Sequence, residues 1–183
     1  MKKIFLFLLS AGLTSGAFAQ KLNPEIKDGT QLNASVFVQG QAVPLAFTIK
    51  SAKAPVTLVW SVDGYGDGEF VINEKALESG TSFFLEQPEL GTTKLSDKET
   101  YGLISKQAFK SLTENKSFTY HQVKFTPKAT DSNPLKINGK EADVIRVSSE
   151  DNKIELWILN NPNLPLILQT AGMPFDISVF EIK

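Results

Sequence analysis

Apolar and polar residues alternate along short stretches of this chain, and turn-forming residues separate those stretches. Val43, Leu45, Phe47 and Ile49 alternate with Ala46, Thr48 and Lys50, and Val56, Leu58, Trp60 and Val62 alternate with Thr57, Val59 and Ser61. A period of two sets one face of a strand on a core and the other toward solvent. Further strands are expected over Ser117–Phe125, Leu135–Ile137, Lys140–Ser148, Lys153–Asn160, Leu164–Thr170 and Phe175–Ile182. Asn138-Gly139 is the strongest hairpin signal, because both central residues of a type I′ turn need positive φ. Asp151-Asn152, Asn160–Asn163 and Ala171–Pro174 should turn the chain again, which makes the C-terminal third an antiparallel meander.

Short helices interrupt the middle. Asn73 is placed to cap a helix running through Leu77, with Gly80 past its end. Ser96–Glu99 matches a capping box that Gly102 would stop. Ser105 is placed to cap Lys106–Leu112, whose Ala108, Phe109 and Leu112 give an apolar face. The polar stretch Lys128–Pro134 reads as a loop, and no composition shift marks a domain boundary.

The N-terminus follows a different pattern. Lys2 and Lys3 precede the apolar run Ile4–Leu9, and Ala17-Phe18-Ala19 is a small-x-small cleavage site before Gln20. This is the pattern of an export signal, and its apolar run is shorter than the ~20 residues of a spanning helix. Residues 1–19 are therefore expected to be a signal peptide cut after Ala19, and residues 20–183 a single β-rich domain. The expected address is the periplasm or the medium. Without Lys2 and Lys3, 17 of the 19 basic residues remain against 20 acids, about −3 in net charge. With no Lys- or Arg-rich cluster, the composition argues against general nucleic-acid binding. No later stretch is apolar and long enough for a transmembrane helix. The chain has no cysteine, which excludes thiol nucleophiles, thiolate metal sites and a lipidated Cys after the cleavage site.

The order of motifs in the middle has a likeness. Asp63-Gly64-Tyr65-Gly66-Asp67-Gly68-Glu69-Phe70 leads into Asn73–Glu78. Leu95–Thr100, Leu103–Lys110, Ile154–Leu159 and Leu164–Leu168 follow. This series resembles the TapB-like, domain-of-unknown-function family of exported bacterial proteins. The resemblance implies an antiparallel, partly open β-barrel with short helices, similar in outline to periplasmic lipoprotein carriers. It implies no activity that attaches to particular residues.

Candidate chemistry is sparse. Asp63, Asp67, Glu69 and Glu74 fall at positions one, five, seven and twelve of a calcium loop, with Gly68 at six. Tyr65 stands at position three, however, and the plainer reading is a glycine-rich turn between strands. His121 is the single histidine and no Gly-x-Ser-x-Gly elbow accompanies it, so a strand residue is expected rather than a catalytic base. Glu155 beside Trp157 suggests a sugar platform; the plainer reading is an outward glutamate on a two-sided strand. Leu164, Leu166 and Leu168 share one face with Ile167 on the other, so both faces there need cover. That cover is either the helix Lys106–Leu112 or an apolar ligand within an open barrel.

The expected fold is mainly β: an antiparallel, strongly curved sheet or half-open β-barrel with two or three short helices. The expected function is non-enzymatic: an exported binding or envelope-maintenance protein, with a lipid or other apolar ligand lined by Trp60, Phe109, Trp157 and Leu166. No cofactor or metal is expected. The alternatives are a structural module that docks an envelope protein, and a hydrolase of envelope glycans with paired acids.

Overall fold

The structure, a computed structural model, describes residues 21–38, 40–129 and 134–183. The export signal read from residues 1–19 lies outside the described residues, as does the centre of the polar stretch, 130–133. No helix among the described residues is long and apolar enough to cross a membrane.

The chain is mainly β. It opens with β1 (Gln31–Val38), β2 (Gln41–Ser51), β3 (Val56–Val62) and β4 (Gly66–Ile72), each antiparallel to the one before. Helix α1 (Glu74–Ser79), β5 (Ser82–Phe83), β6 (Gly91–Lys94) and β7 (Glu99–Thr100) follow. Helix α2 (Lys106–Asn115) leads to the hairpin of β8 (Phe118–Tyr120) and β9 (Val123–Pro127). After the small hairpin of β10 (Lys136–Ile137) and β11 (Lys140–Glu141) comes a second meander. Its strands are β12 (Val144–Ser149), β13 (Glu155–Leu159), β14 (Ile167–Ala171) and β15 (Asp176–Ile182). Among the described residues, eleven strands form one sheet in the order β6-β4-β3-β2-β1-β15-β14-β13-β12-β9-β8. The two meanders join where β1 pairs with β15, and within this sheet, among the described residues, the β4–β6 pair is the parallel one.

The alternating pattern is what buries one face. Leu45, Phe47 and Ile49 of β2 are buried, as are Val56, Leu58 and Trp60 of β3, while Ala46, Lys50 and Ser61 are exposed. Pairing sets Phe47 directly across from Trp60. One core gathers these residues with Leu32, Phe70, Leu103 and Leu166. A second core packs Phe109 and Leu112 of α2 on Phe118, Tyr120, Phe125, Val147, Leu156 and Ile158.

The local signals held where a side chain caps or a turn demands positive φ. Asn73 Oδ1 accepts from the Ala76 amide at 2.9 Å, and Ser105 Oγ from the Ala108 amide at 3.3 Å. Asn138 and Gly139 have φ of 53° and 74°. The Asn138 side chain also donates to the Ile182 carbonyl at 2.7 Å and accepts from its amide at 3.0 Å, which pins the small hairpin to β15. Elsewhere the structure corrects the reading. Ser117–Phe125 is not one strand but a hairpin, with His121 and Gln122 at positive φ in its turn. Lys140–Ser148 divides into β11 and β12. Ser96–Glu99 forms a turn, not a helix. Glu99 accepts from the Ser96 hydroxyl at 2.7 Å, but the chain then extends into β7. Within Asp63–Glu74, read as a glycine-rich turn between strands, Asp63–Tyr65 is that turn, while Gly66–Ile72 extends as strand β4.

Candidate functional site

The alternation of β1, β2 and β3 continues past the end of the core. Val36, Val43 and Val62 stay on the inner face but are only half-buried. The space over them is a cavity of about 590 Å³. Its sheet wall is made by Val36, Val43, Leu45, Trp60, Val62 and Ile177, joined by Ile167 and Thr170 of β14. The opposite wall is Phe83–Pro88 and Thr100–Gly102. Tyr65, Val38 and Phe175 are exposed at its mouth.

The second wall is held by stacking and hydrogen bonds. The parallel pair β5–β7 sets Phe83 beside Thr100, and the Phe84 amide donates to the Thr100 carbonyl at 2.9 Å. The Tyr101 ring stacks on Phe70 at 4.0 Å and lies 6.1 Å from Phe47. Phe84 is 5.5 Å from Phe70. Buried Thr100 donates to the Leu103 carbonyl or shares its hydroxyl with Tyr120, at 2.7 and 2.8 Å. Tyr120 also accepts from the Ser105 amide at 3.2 Å, which ties the wall to the start of α2. The segment after Leu85 is clipped by Tyr65, whose hydroxyl donates to the Pro88 carbonyl at 3.1 Å and accepts from Gln87 at 3.0 Å.

Four polar side chains of the lining, Tyr65, Gln87, Thr100 and Thr170, are satisfied internally; Thr170, for instance, donates to Asp176 at 3.0 Å. Two donors are not. Trp60 Nε1 is buried with no hydrogen-bond partner among the described residues. The Tyr101 hydroxyl makes no hydrogen bond among them either. Burial pushes the Tyr101 phenol up to about 12, so it keeps its proton. Among the described residues, Asp63 and Glu86 are the charged members of the lining, and no Lys, Arg or His belongs to it.

Of the four residues expected to line a ligand site, Trp60 lines this cavity. Phe109 lies in the α2 core and Leu166 in the sheet core, bridged to Leu103. Trp157 lies on the other face of β13 from Leu156 and Ile158. Its cross-strand partner Arg146 holds its guanidinium 4.9 Å over the ring. The structure therefore does not bring the four together. Helix α2 covers Leu156 and Ile158, which is the plain-core arrangement. The register of β13 and β14 also slips between Trp157–Gln169 and Ile158–Ile167. Adjacent Ile167 and Leu168 consequently both turn inward, Ile167 lining the cavity. The sequence reading missed Tyr65, Phe84 and Tyr101. The apolar triplet Phe83-Phe84-Leu85 in an otherwise polar segment was the available signal.

The other constellations resolve simply. Asp63–Tyr65 is the turn between β3 and β4, and Glu69 of β4 is engaged by Lys50 at 2.8 Å and Thr92 at 3.0 Å. No metal-binding cluster occurs among the described residues. His121 Nδ1 lies 2.8 Å from Ser82 Oγ, but both are outside the cavity and no carboxylate meets the other ring nitrogen among the described residues. The pair clips the β8–β9 turn to β5. Glu155 accepts from Lys128 and, at 2.8 Å, from Arg146 Nε.

These bonds, from Lys128 first and then Arg146, hold the Glu155 carboxyl below the usual glutamate range. A lowered folded pKa stabilises the fold above the unfolded pKa and the effect is lost as pH falls through the folded one. Glu155→Gln should therefore cost about 1–3 kcal/mol at pH 7. The gap to the native chain should close below about pH 4.5, as read from urea denaturation at a series of pH values. A gap that stayed constant down to pH 2 would contradict the assignment.

No protein-family model, curated protein or solved structure matches this chain.

Proposed function

We propose that this chain is an exported, non-enzymatic binding protein that holds an apolar or amphipathic ligand in the cavity between the sheet and the Phe83–Gly102 wall. The observation that carries the reading is the cavity itself: about 590 Å³, lined chiefly by aliphatic and aromatic side chains. That volume falls within the range of small-molecule sites, which are concave and mostly apolar. Affinity would come from burial of apolar surface, at about 25 cal/mol per Å² before ordering costs.

A strongly curved, half-open barrel is part of the proposal. Trp60 on β3 and Ile167 on β14 line one cavity although four strand spacings separate them in the sheet. A flat sheet would set those strands ~19 Å apart. The export signal read from Met1–Ala19 supports an address in the periplasm or the medium, and the TapB-like resemblance belongs to the same reading.

The test is uptake of an uncharged apolar dye, N-phenyl-1-naphthylamine, with native mass spectrometry of the purified protein for co-purified lipid. The dye should brighten with the native chain. Val62→Trp should cut that signal at least tenfold while leaving the melting temperature unchanged, since it fills space already empty. No brightening and only bare protein in the spectrum would end the reading.

A further inference from the structure

The charges around the mouth narrow what the cavity accepts. We infer that its ligand is a cationic amphiphile, an apolar body with an amine or quaternary ammonium head, seated with the body in the cavity and the head between Asp63 and Glu86. This rests on the binding function proposed above and narrows it to one chemical class.

The two acids come from the two walls of one opening. Asp63 begins the β3–β4 turn, Glu86 lies on the Phe83–Pro88 wall, and both belong to the cavity lining. Tyr65 joins their segments, since its hydroxyl donates to the Pro88 carbonyl at 3.1 Å and accepts from Gln87 at 3.0 Å. Both acids are exposed, and neither has a hydrogen bond or ion pair among the described residues. No Lys, Arg or His of the described residues joins them on the lining. The mouth thus carries uncompensated negative charge. A cleft with one sign of charge and low-dielectric walls focuses its field at the opening.

That field sorts heads that share one tail. An apolar chain seated in the cavity brings its head to the rim and displaces water from the carboxylates. An anionic head would lose hydration there and meet repulsion. A neutral head would leave the carboxylates less hydrated with no charge in return. A cation offsets both costs. Tyr65 is 46% exposed at the mouth, with its ring 5.9 Å from that of Trp60, and adds aromatic surface that attracts ammonium groups.

Three twelve-carbon amphiphiles separate the possibilities: dodecyltrimethylammonium, monododecanoylglycerol and dodecanoate at pH 8, each titrated calorimetrically below its micelle concentration. The ammonium compound should bind about tenfold more tightly than the neutral ester, and dodecanoate more weakly still. Added salt should shrink that preference. Asp63→Asn combined with Glu86→Gln should abolish the preference for ammonium over ester, with melting temperatures confirming that the variant folds. Glu74→Gln combined with Glu114→Gln removes the same charge from exposed positions outside the lining and should leave the preference in place. Ester or dodecanoate binding as tightly as the ammonium compound would overturn the inference. A preference that survives the loss of Asp63 and Glu86, or that disappears with Glu74 and Glu114, would do the same. If the neutral dye enters but the three amphiphiles bind alike, only the head-group assignment fails. If the dye is refused as well, the binding function fails with it.

Discussion

Phe70→Ala should destabilise the protein by about 3–5 kcal/mol and abolish dye uptake. Phe70 is fully buried on β4 and is the ring on which the far wall rests: Tyr101 stacks on it at 4.0 Å and Phe84 tilts against it at 5.5 Å. Truncation removes a buried aromatic and leaves a void between sheet and wall. Stacked aromatic pairs add about 0.5–1.5 kcal/mol beyond area burial, so the loss belongs toward the upper end of the range. The wall cannot collapse freely into the gap. Thr100 is bonded to Leu103 and Tyr120, and the β5–β7 pair holds Phe83 at Thr100. Guanidinium denaturation measures the first effect and N-phenyl-1-naphthylamine fluorescence the second. Phe70→Leu, which keeps most of the volume, should cost less and retain partial uptake. Stability within 1 kcal/mol of the native chain for Phe70→Ala would show that the aromatic stack does not hold the wall.

Gly68→Ala should destabilise the protein by about 3 kcal/mol. A Cβ at this position would lie 2.7 Å from the Gly91 carbonyl oxygen, 2.8 Å from that of Glu89 and 2.8 Å from Trp60 Cζ2. Two of those three neighbours are backbone, and the third is a buried ring facing Phe47. None can retreat as the tip of a flexible side chain would. The added methyl must either prise β6 from β4, its one partner in the sheet, or turn the Trp60 indole. In a Trp157→Phe background Trp60 is the single fluorophore of its kind, so its emission should shift red. Amide exchange in Thr92–Lys94 should accelerate at the same time. Unchanged emission together with unchanged exchange would mean that the strand accommodates the methyl, and the close approach would lose its structural role.

Much of the fold was legible because short-range chemistry wrote it. Asn73 and Ser105 cap helices where their hydroxyl or amide oxygens had to find an amide, and Asn138-Gly139 turns where positive φ had to be accepted. The C-terminal meander followed from turn residues spaced between apolar runs. Strand β4 was hidden because Gly66 and Gly68 look like loop residues, and their reason lies in contacts distant in sequence. Gly66 passes under Leu90, and Gly68 under Trp60 and the 89–91 backbone. The β8–β9 turn was hidden because His121 and Gln122 are not the residues that usually take positive φ.

The site divides in the same way. The alternation of apolar residues determined by itself that β2 and β3 present one buried face, and hence that Trp60 points inward with Leu58 and Leu45. It determined as well that Leu156 and Trp157 oppose each other across β13. Which inward residues meet a packed neighbour and which meet empty space was decided by the tertiary structure alone. Period two fixes the side of a strand but carries no information about what lies above it. Helix α2 landed on Leu156 and Ile158, so Phe109 became core. The Phe83–Gly102 wall stopped short of Val36, Val43 and Val62, so a cavity remained there, bordered by Trp60 and Tyr101. That difference arises from chain segments tens of residues apart meeting through packing, a long-range event that no local pattern encodes.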